Sequence, residues 1–79
     1  MDTFYLDDMT VGETAAVQEL LTTGELRRRL LDLGLVPGTR VECVGQSPAG
    51  DPKAYLIRGT AIALRREDSA GVLLGEEEP

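Results

Sequence analysis

Five consecutive residues near the middle of the chain, Gly34-Leu35-Val36-Pro37-Gly38, constrain its fold more tightly than any others. Leu26, Leu30 and Leu33 precede them at helical spacing. A glycine directly after such a run takes the left-handed position past the helix end. Leu35, the residue after it, then packs back on Leu30. Pro37 cannot continue a helix, and Pro37-Gly38 suits the two central positions of a type II turn. The segment therefore predicts a helix that stops abruptly and a tight turn that redirects the chain. Gly34 and Gly38 are its structural turn residues.

The helix start carries a signal of its own. Thr22-Thr23-Gly24-Glu25 fits a capping box with Thr22 as N-cap and Glu25 reaching back to it. Leu21 and Leu26 fall at the two positions of a hydrophobic staple. These signals predict a helix from about Thr23 to Leu33. Outside it the hydrophobic period is two or too short for a helix. A short helical turn at Leu6 to Met9 leads into a strand over Thr14 to Leu20. Further strands are expected from Thr39, from Lys53 to Arg58, from Thr60 to Arg65 and over Val72 to Leu74. Gln46 to Pro52 is dense in turn formers, Gly59 marks a turn or bulge, and Glu67 to Ala70 allows one helical turn. The chain is thus read as mainly β, a small, partly open barrel of about five strands with one inserted short α-helix. Residues 1–75 form the domain and 76–79 an acidic, disordered tail.

With 79 residues there is room for one modest core, and a hydrophobic fraction of 42% is enough to build it. The start of the chain lacks the charge and apolar run of a secretory signal, and no apolar run is long enough for a membrane helix. One cysteine gives no disulfide, so the expected location is cytoplasmic, without direct membrane insertion.

Charge is unevenly placed. All eight basic residues lie between Arg27 and Arg66 with only three acids among them, a local net of +5 within a chain of net −6. An overall pI near 4.4 excludes general nucleic-acid binding. The run Arg27-Arg28-Arg29 fans around a helix at about 100° per residue, with Glu25 placed to pair with Arg28 and Arg29 and Asp32 with Arg28.

Catalysis has little to stand on. Histidine is absent, no phosphate-cradling Gly-rich loop ends in Gly-Lys-Ser/Thr, and paired carboxylates such as Asp7/Asp8 read as solvated surface. One thiol and no imidazole do not make a tight transition-metal site, and Cys43 reads as core packing. No cofactor and no metal-ligand set is assigned.

The segment Arg28-Arg29-Leu30-Leu31-Asp32-Leu33-Gly34-Leu35-Val36-Pro37-Gly38-Thr39 resembles the signature of the ferrous iron transport protein A (FeoA) family. Leu6, Met9 and Gly12-Glu13 resemble its opening, Pro48 to Pro52 its central loop, and Arg58 to Arg65 its penultimate strand. Lys53 and Ala54 depart from the apolar alternation expected at the start of their strand. The resemblance implies an SH3-like barrel with an inserted helical segment. It also implies an accessory or regulatory role in ferrous iron uptake, by protein–protein contact with the FeoB-type GTP-binding membrane transporter. Weak self-association is left open. At the contact the expected residues are Arg27, Arg28, Leu35, Val36 and Pro37, the arginines steering and the apolar turn anchoring. The alternative is a metal-sensing domain that holds ferrous or other transition metal ions weakly through Asp7, Asp8 and Asp51. In that it would be akin to the C-terminal domain of metal-dependent repressors.

Overall fold

The alternation of apolar and polar residues settles into six antiparallel strands in the computed structural model, which describes residues 3–77. Strand β1 (Phe4–Tyr5) runs into a 3₁₀ turn (Leu6–Asp8), then β2 (Thr14–Leu20) and helix α1 (Gly24–Asp32). β3 (Arg40–Gln46), β4 (Lys53–Ile57) and β5 (Thr60–Leu64) follow, then a single turn of helix α2 (Arg66–Ser69) and β6 (Val72–Gly75). The strand order is β1-β6-β2-β3-β4-β5, so β1 and β5 are the two edges of an open sheet. The five strands read from the pattern are present. The sixth, β1, is two residues long and gains its definition only by pairing Phe4 with Leu74 and Tyr5 with Leu73.

One face of each strand feeds a single core. Ala15, Val17 and Leu20 of β2 meet Val41 and Cys43 of β3, Tyr55 and Ile57 of β4, Leu64 of β5, and Val72 and Leu74 of β6. Leu30 and Leu35 enter from α1, and Leu6 and Met9 from the 3₁₀ turn. Cys43 is fully buried among them, as its place on the strand predicts.

Local devices bend the sheet. The turn Thr10 to Glu13 ends in Gly12 at φ +98, and Gly12 and Glu13 both bond Cys43 across the ladder, which is a glycine bulge. The amide and hydroxyl of Thr10 both donate to Glu13 Oε1, at 2.7 and 2.9 Å, and hold that carboxyl below its ordinary pKa. The β2–β6 register shifts between Val17 and Glu19, and the β3–β4 register between Cys43 and Gly45. Each shift leaves one extra residue, Gln18 and Val44, on the exposed side.

The seam between the 3₁₀ turn and β4 is closed by polar contacts. Lys53 Nζ donates to the carbonyls of Asp7 at 2.6 Å and Met9 at 2.7 Å, tying β4 to the 3₁₀ turn. Tyr55 donates its hydroxyl to the Leu6 carbonyl at 3.2 Å. Asp51 accepts from the Arg66 amide at 2.9 Å and so caps α2. The irregular Lys53 is therefore a fastener, and its strand keeps an unbroken register with β5.

Burial pushes the Tyr55 phenol up to about 12 from its ordinary 10. The folded state then keeps a proton that the unfolded chain releases first. Stability from this group is whole below pH 10 and is lost as pH rises toward 12. An alkaline melt followed by phenolate absorbance should show unfolding in that window. Tyr55→Phe should move the transition to higher pH while lowering stability at neutral pH, where its bond to Leu6 is missing.

The acidic tail read over 76–79 lies partly outside the described residues. Within them, the Glu77 carboxylate sits 2.6 Å from Arg40 Nε.

Candidate docking site at the end of helix α1

The end of α1 forms as the glycine spacing requires. Gly34 adopts φ +104, its amide bonds the Leu31 carbonyl at 2.9 Å, and the Leu35 amide bonds the Leu30 carbonyl at 3.1 Å. These two bonds are the Schellman pair, and Leu30 and Leu35 are both fully buried. Gly38 at φ +93 and the bond from the Thr39 amide to the Val36 carbonyl, 3.0 Å, make the following type II turn. That turn is fastened to β2: the Gly38 amide donates to Val17, and the Val17 amide to Thr39. The corner is rigid because backbone bonds hold it at both ends.

Burial divides the predicted contact residues. Val36 is 36% exposed and Pro37 is exposed, so both are presented at the surface. Leu35 is not: its side chain is spent on the helix cap, and no partner reaches it without unfolding the corner. Its removal from the contact set is a correction. The C-cap contact that placed Leu35 beside Leu30 is the same contact that hides it.

Arg27 and Arg28 are exposed and, among the described residues, have no ion pair. The pairing expected from Glu25 and Asp32 does not form. Instead Arg29 reaches Asp68 of α2 at 3.0 Å, so this arginine fastens α1 to α2. Arg28 lines a groove with Glu25, Leu26, Arg29, Asp32 and Asp68, where three carboxylates offset two guanidinium groups. Arg27 lies outside that groove, on the helix line that runs through Leu31 to Gly34 about 10 Å further on.

That line leads to a residue that sequence reasoning did not assign. Arg58 lies at the β4–β5 turn with φ +52, and its side chain crosses Gly34: a Cβ on Gly34 would sit 2.4 Å from Arg58 Cδ. The absence of a side chain at Gly34 thus makes the bed for an arginine. The legible signal was the pair Arg58-Gly59 between two strands, a two-residue hairpin that demands positive φ at both positions. On the other flank of the corner, Pro37 and Gly38 line a second groove of about 280 Å³ with Gln18, Arg40 and Glu77.

The helix start differs from the expected box. The residue before α1 is Thr23, with no side-chain capping bond, and Gly24 enters at φ +65. This left-handed step turns Thr22 away from the helix. Its methyl lies against Gly71, its buried hydroxyl has no partner among the described residues, and Leu21 is 49% exposed, bonding Gly71 through its amide. The staple and capping box give way to this fastening on Gly71.

The carboxylates proposed for metal are scattered or engaged. Asp8 accepts from the Tyr5 amide, Asp51 from the Arg66 amide, and Asp7 and Asp51 share a small pocket with Lys53 and Arg66. Among the described residues no three His, Cys, Asp or Glu side chains group as a metal site. No helix among them is long and apolar enough to cross a membrane.

A family model described as the FeoA domain matches residues 4–74. The chain belongs to the FeoA family. It is 33% identical over 67 residues to a protein of Porphyromonas gingivalis named as an Fe(2+) transport protein A/Fe(2+) transporter FeoB fusion. The match covers 85% of this chain and only 8% of that relative. Iron(II) transport protein A from Clostridium thermocellum has a similar structure, with a TM-score of 0.88 and 30% identity over 92% of this chain and 45% of its own. FeoA of Stenotrophomonas maltophilia, solved in complex with zinc and described as a procaryotic SH3 domain protein, gives 0.82 and 26% over 91% and 89%. The FeoA-family fold here is accordingly SH3-like and mainly β, with one inserted helix.

Proposed function

We propose that this FeoA-family domain is a cytoplasmic accessory protein of ferrous iron uptake, acting by protein–protein contact with a FeoB-type GTP-binding membrane transporter. One observation carries the reading: the P. gingivalis relative bears both names in a single chain. Fusion of two modules holds them at a high effective concentration, which is advantageous when the separate contact is weak. An exposed, backbone-fastened corner suits such a contact, since Val36 and Pro37 lose little freedom on docking. Arg27 on the exposed helix and Arg58 over its end at Gly34 would steer an acidic partner surface.

A pull-down on the transporter's cytoplasmic domains, with and without GTP, tests it. Changing Arg27, Arg28 and Val36 together to Asp should weaken capture by at least about tenfold, since two steering charges and an anchor are lost at once. Undiminished capture by the folded triple variant would remove this corner from the contact.

The zinc complex of the S. maltophilia protein favours a second reading, direct metal sensing through Asp7, Asp8 and Asp51. Its donor set is poor in this chain, because Lys53 and Arg66 line the pocket of Asp7 and Asp51, and Asp51 already accepts from the Arg66 amide. Anaerobic calorimetry of ferrous iron against the same preparations separates the two. The docking reading expects no binding heat, and saturable heat abolished by Asp7→Asn and Asp51→Asn together would install the sensor in its place.

A further inference from the structure

The β5 edge has no protection. β1, the opposite edge, is blunted to two residues, whereas β5 runs for five, Thr60-Ala61-Ile62-Ala63-Leu64, with no charge, proline or bulge. Natural edges are normally guarded by one of these devices, because their unpaired amides and carbonyls recruit another strand. The hairpin geometry fixes which groups are free. Arg58 and Gly59, both at positive φ, form a two-residue loop, so Ile57 and Thr60 are a hydrogen-bonded pair. Alternation then makes Ile62 and Leu64 bonded to β4, and turns the N–H and C=O of Ala61 and Ala63 outward. Both alanines are exposed, and no loop or turn bond among the described residues reaches them.

Charge says what fits there. Arg58 stands before the strand and Arg65 and Arg66 after it, all exposed and without an ion pair among the described residues. Three acids stand near Arg66, of which Asp7 shares its pocket with Lys53. Asp51 is turned to the Arg66 backbone amide, and Glu67 projects from α2. A second copy of this chain is disfavoured. The antiparallel register that uses all four outward groups pairs Ala61 with Ala63 of the other copy. It also sets Arg58 opposite Arg66 at both ends, and like charges facing across strands are destabilising.

We propose that the outer edge of β5 binds an extended acidic peptide segment as an added strand. The outward groups of Ala61 and Ala63 supply the backbone bonds. Arg58 at one end and Arg65 and Arg66 at the other select carboxylates that flank a short apolar or β-branched stretch. The small alanine side chains leave the incoming backbone unobstructed. This surface shares Arg58 with the Val36–Pro37 corner but no other residue, so changes at Ala61, Arg65 and Arg66 test it apart from that corner.

The test uses the full chain, isotope-labelled for NMR, and a capped peptide Glu-Glu-Val-Thr-Val-Glu-Glu with its lysine counterpart Lys-Lys-Val-Thr-Val-Lys-Lys. The acidic peptide should shift the Ala61 and Ala63 amides and slow their hydrogen exchange, and the lysine peptide should not. Ala61→Pro removes an outward N–H and no bond to β4, and proline is tolerated at such edge positions. It should weaken binding by about tenfold or more with the rest of the spectrum unchanged. N-methylation of alternate peptide residues should do the same without touching the protein. Arg65→Glu with Arg66→Glu should reverse the peptide preference. Equal binding of both peptides would overturn the proposal, as would shifts that leave Ala61 and Ala63 unmoved or indifference to N-methylation. Concentration-dependent protection of those amides without peptide would assign the edge to a second copy instead.

Discussion

Gly34→Val is expected to lower the melting temperature by roughly 12–24 °C, the largest loss from any single substitution in this corner. A non-glycine residue at left-handed φ costs about 1–2 kcal/mol, and a β-branched side chain, which resists that region further, brings the total to about 3 kcal/mol. A domain of this size loses about 4–8 °C per kcal/mol. The steric part is separable. The new Cβ would meet Arg58 Cδ at 2.4 Å, but that atom belongs to a flexible side chain that can move aside. The backbone term therefore dominates, and Gly34→Val in an Arg58→Ala background should recover only a minor part of the loss. Gly34→Asn should cost about half as much, since asparagine tolerates the left-handed region. A thermal melt of Gly34→Val within 2–3 °C (roughly 0.5 kcal/mol) of the parent would refute the cap as a source of stability.

The same residue shows what a sequence can reveal. The Schellman end of α1 was legible because it depends on residues five apart, Leu30 and Leu35, and on a glycine between them. The turn at Gly59 belongs to the same local class. The capping box failed for a reason equally local but overlooked. Gly24, which lies between Thr22 and Glu25, adopts φ +65 and carries the threonine away from the helix. Strand β1 was invisible because its partners, Leu73 and Leu74, lie at the other end of the chain. Long-range pairing also defeated the charge reading of α1. Glu25 and Asp32 are near Arg28 and Arg29 in sequence, yet Asp68 captures Arg29 because it is held in place by α2, whereas a solvated pair within α1 gains little. The candidate contact residues were therefore half legible. Their position on the corner follows from local pattern, but the burial of Leu35 and the arrival of Arg58 over Gly34 depend on the packed molecule.

Lys53→Met is expected to cost about 3 kcal/mol, comparable to Gly34→Val but through a tertiary rather than a local contact. The ammonium donates two charge-assisted bonds, to the Asp7 and Met9 carbonyls, and such bonds contribute about 1.5–3 kcal/mol each. Methionine retains most of the aliphatic stem, so the loss reports the ammonium rather than the packing. Both carbonyls lose their donor, though solvent at this half-buried position offsets part of the cost. Lys53→Arg should restore little, since a planar fork does not converge on two carbonyls as a compact ammonium does. The consequence is directional. Freed from β4, the 3₁₀ turn should open first, so hydrogen exchange should quicken at the Met9 amide and along the β1–β6 pairs while β3 and β4 stay protected. Uniformly faster exchange would mean that Lys53 supports the whole barrel. Unchanged exchange and melting temperature would mean that the buried Leu6 and Met9 side chains alone hold the seam shut.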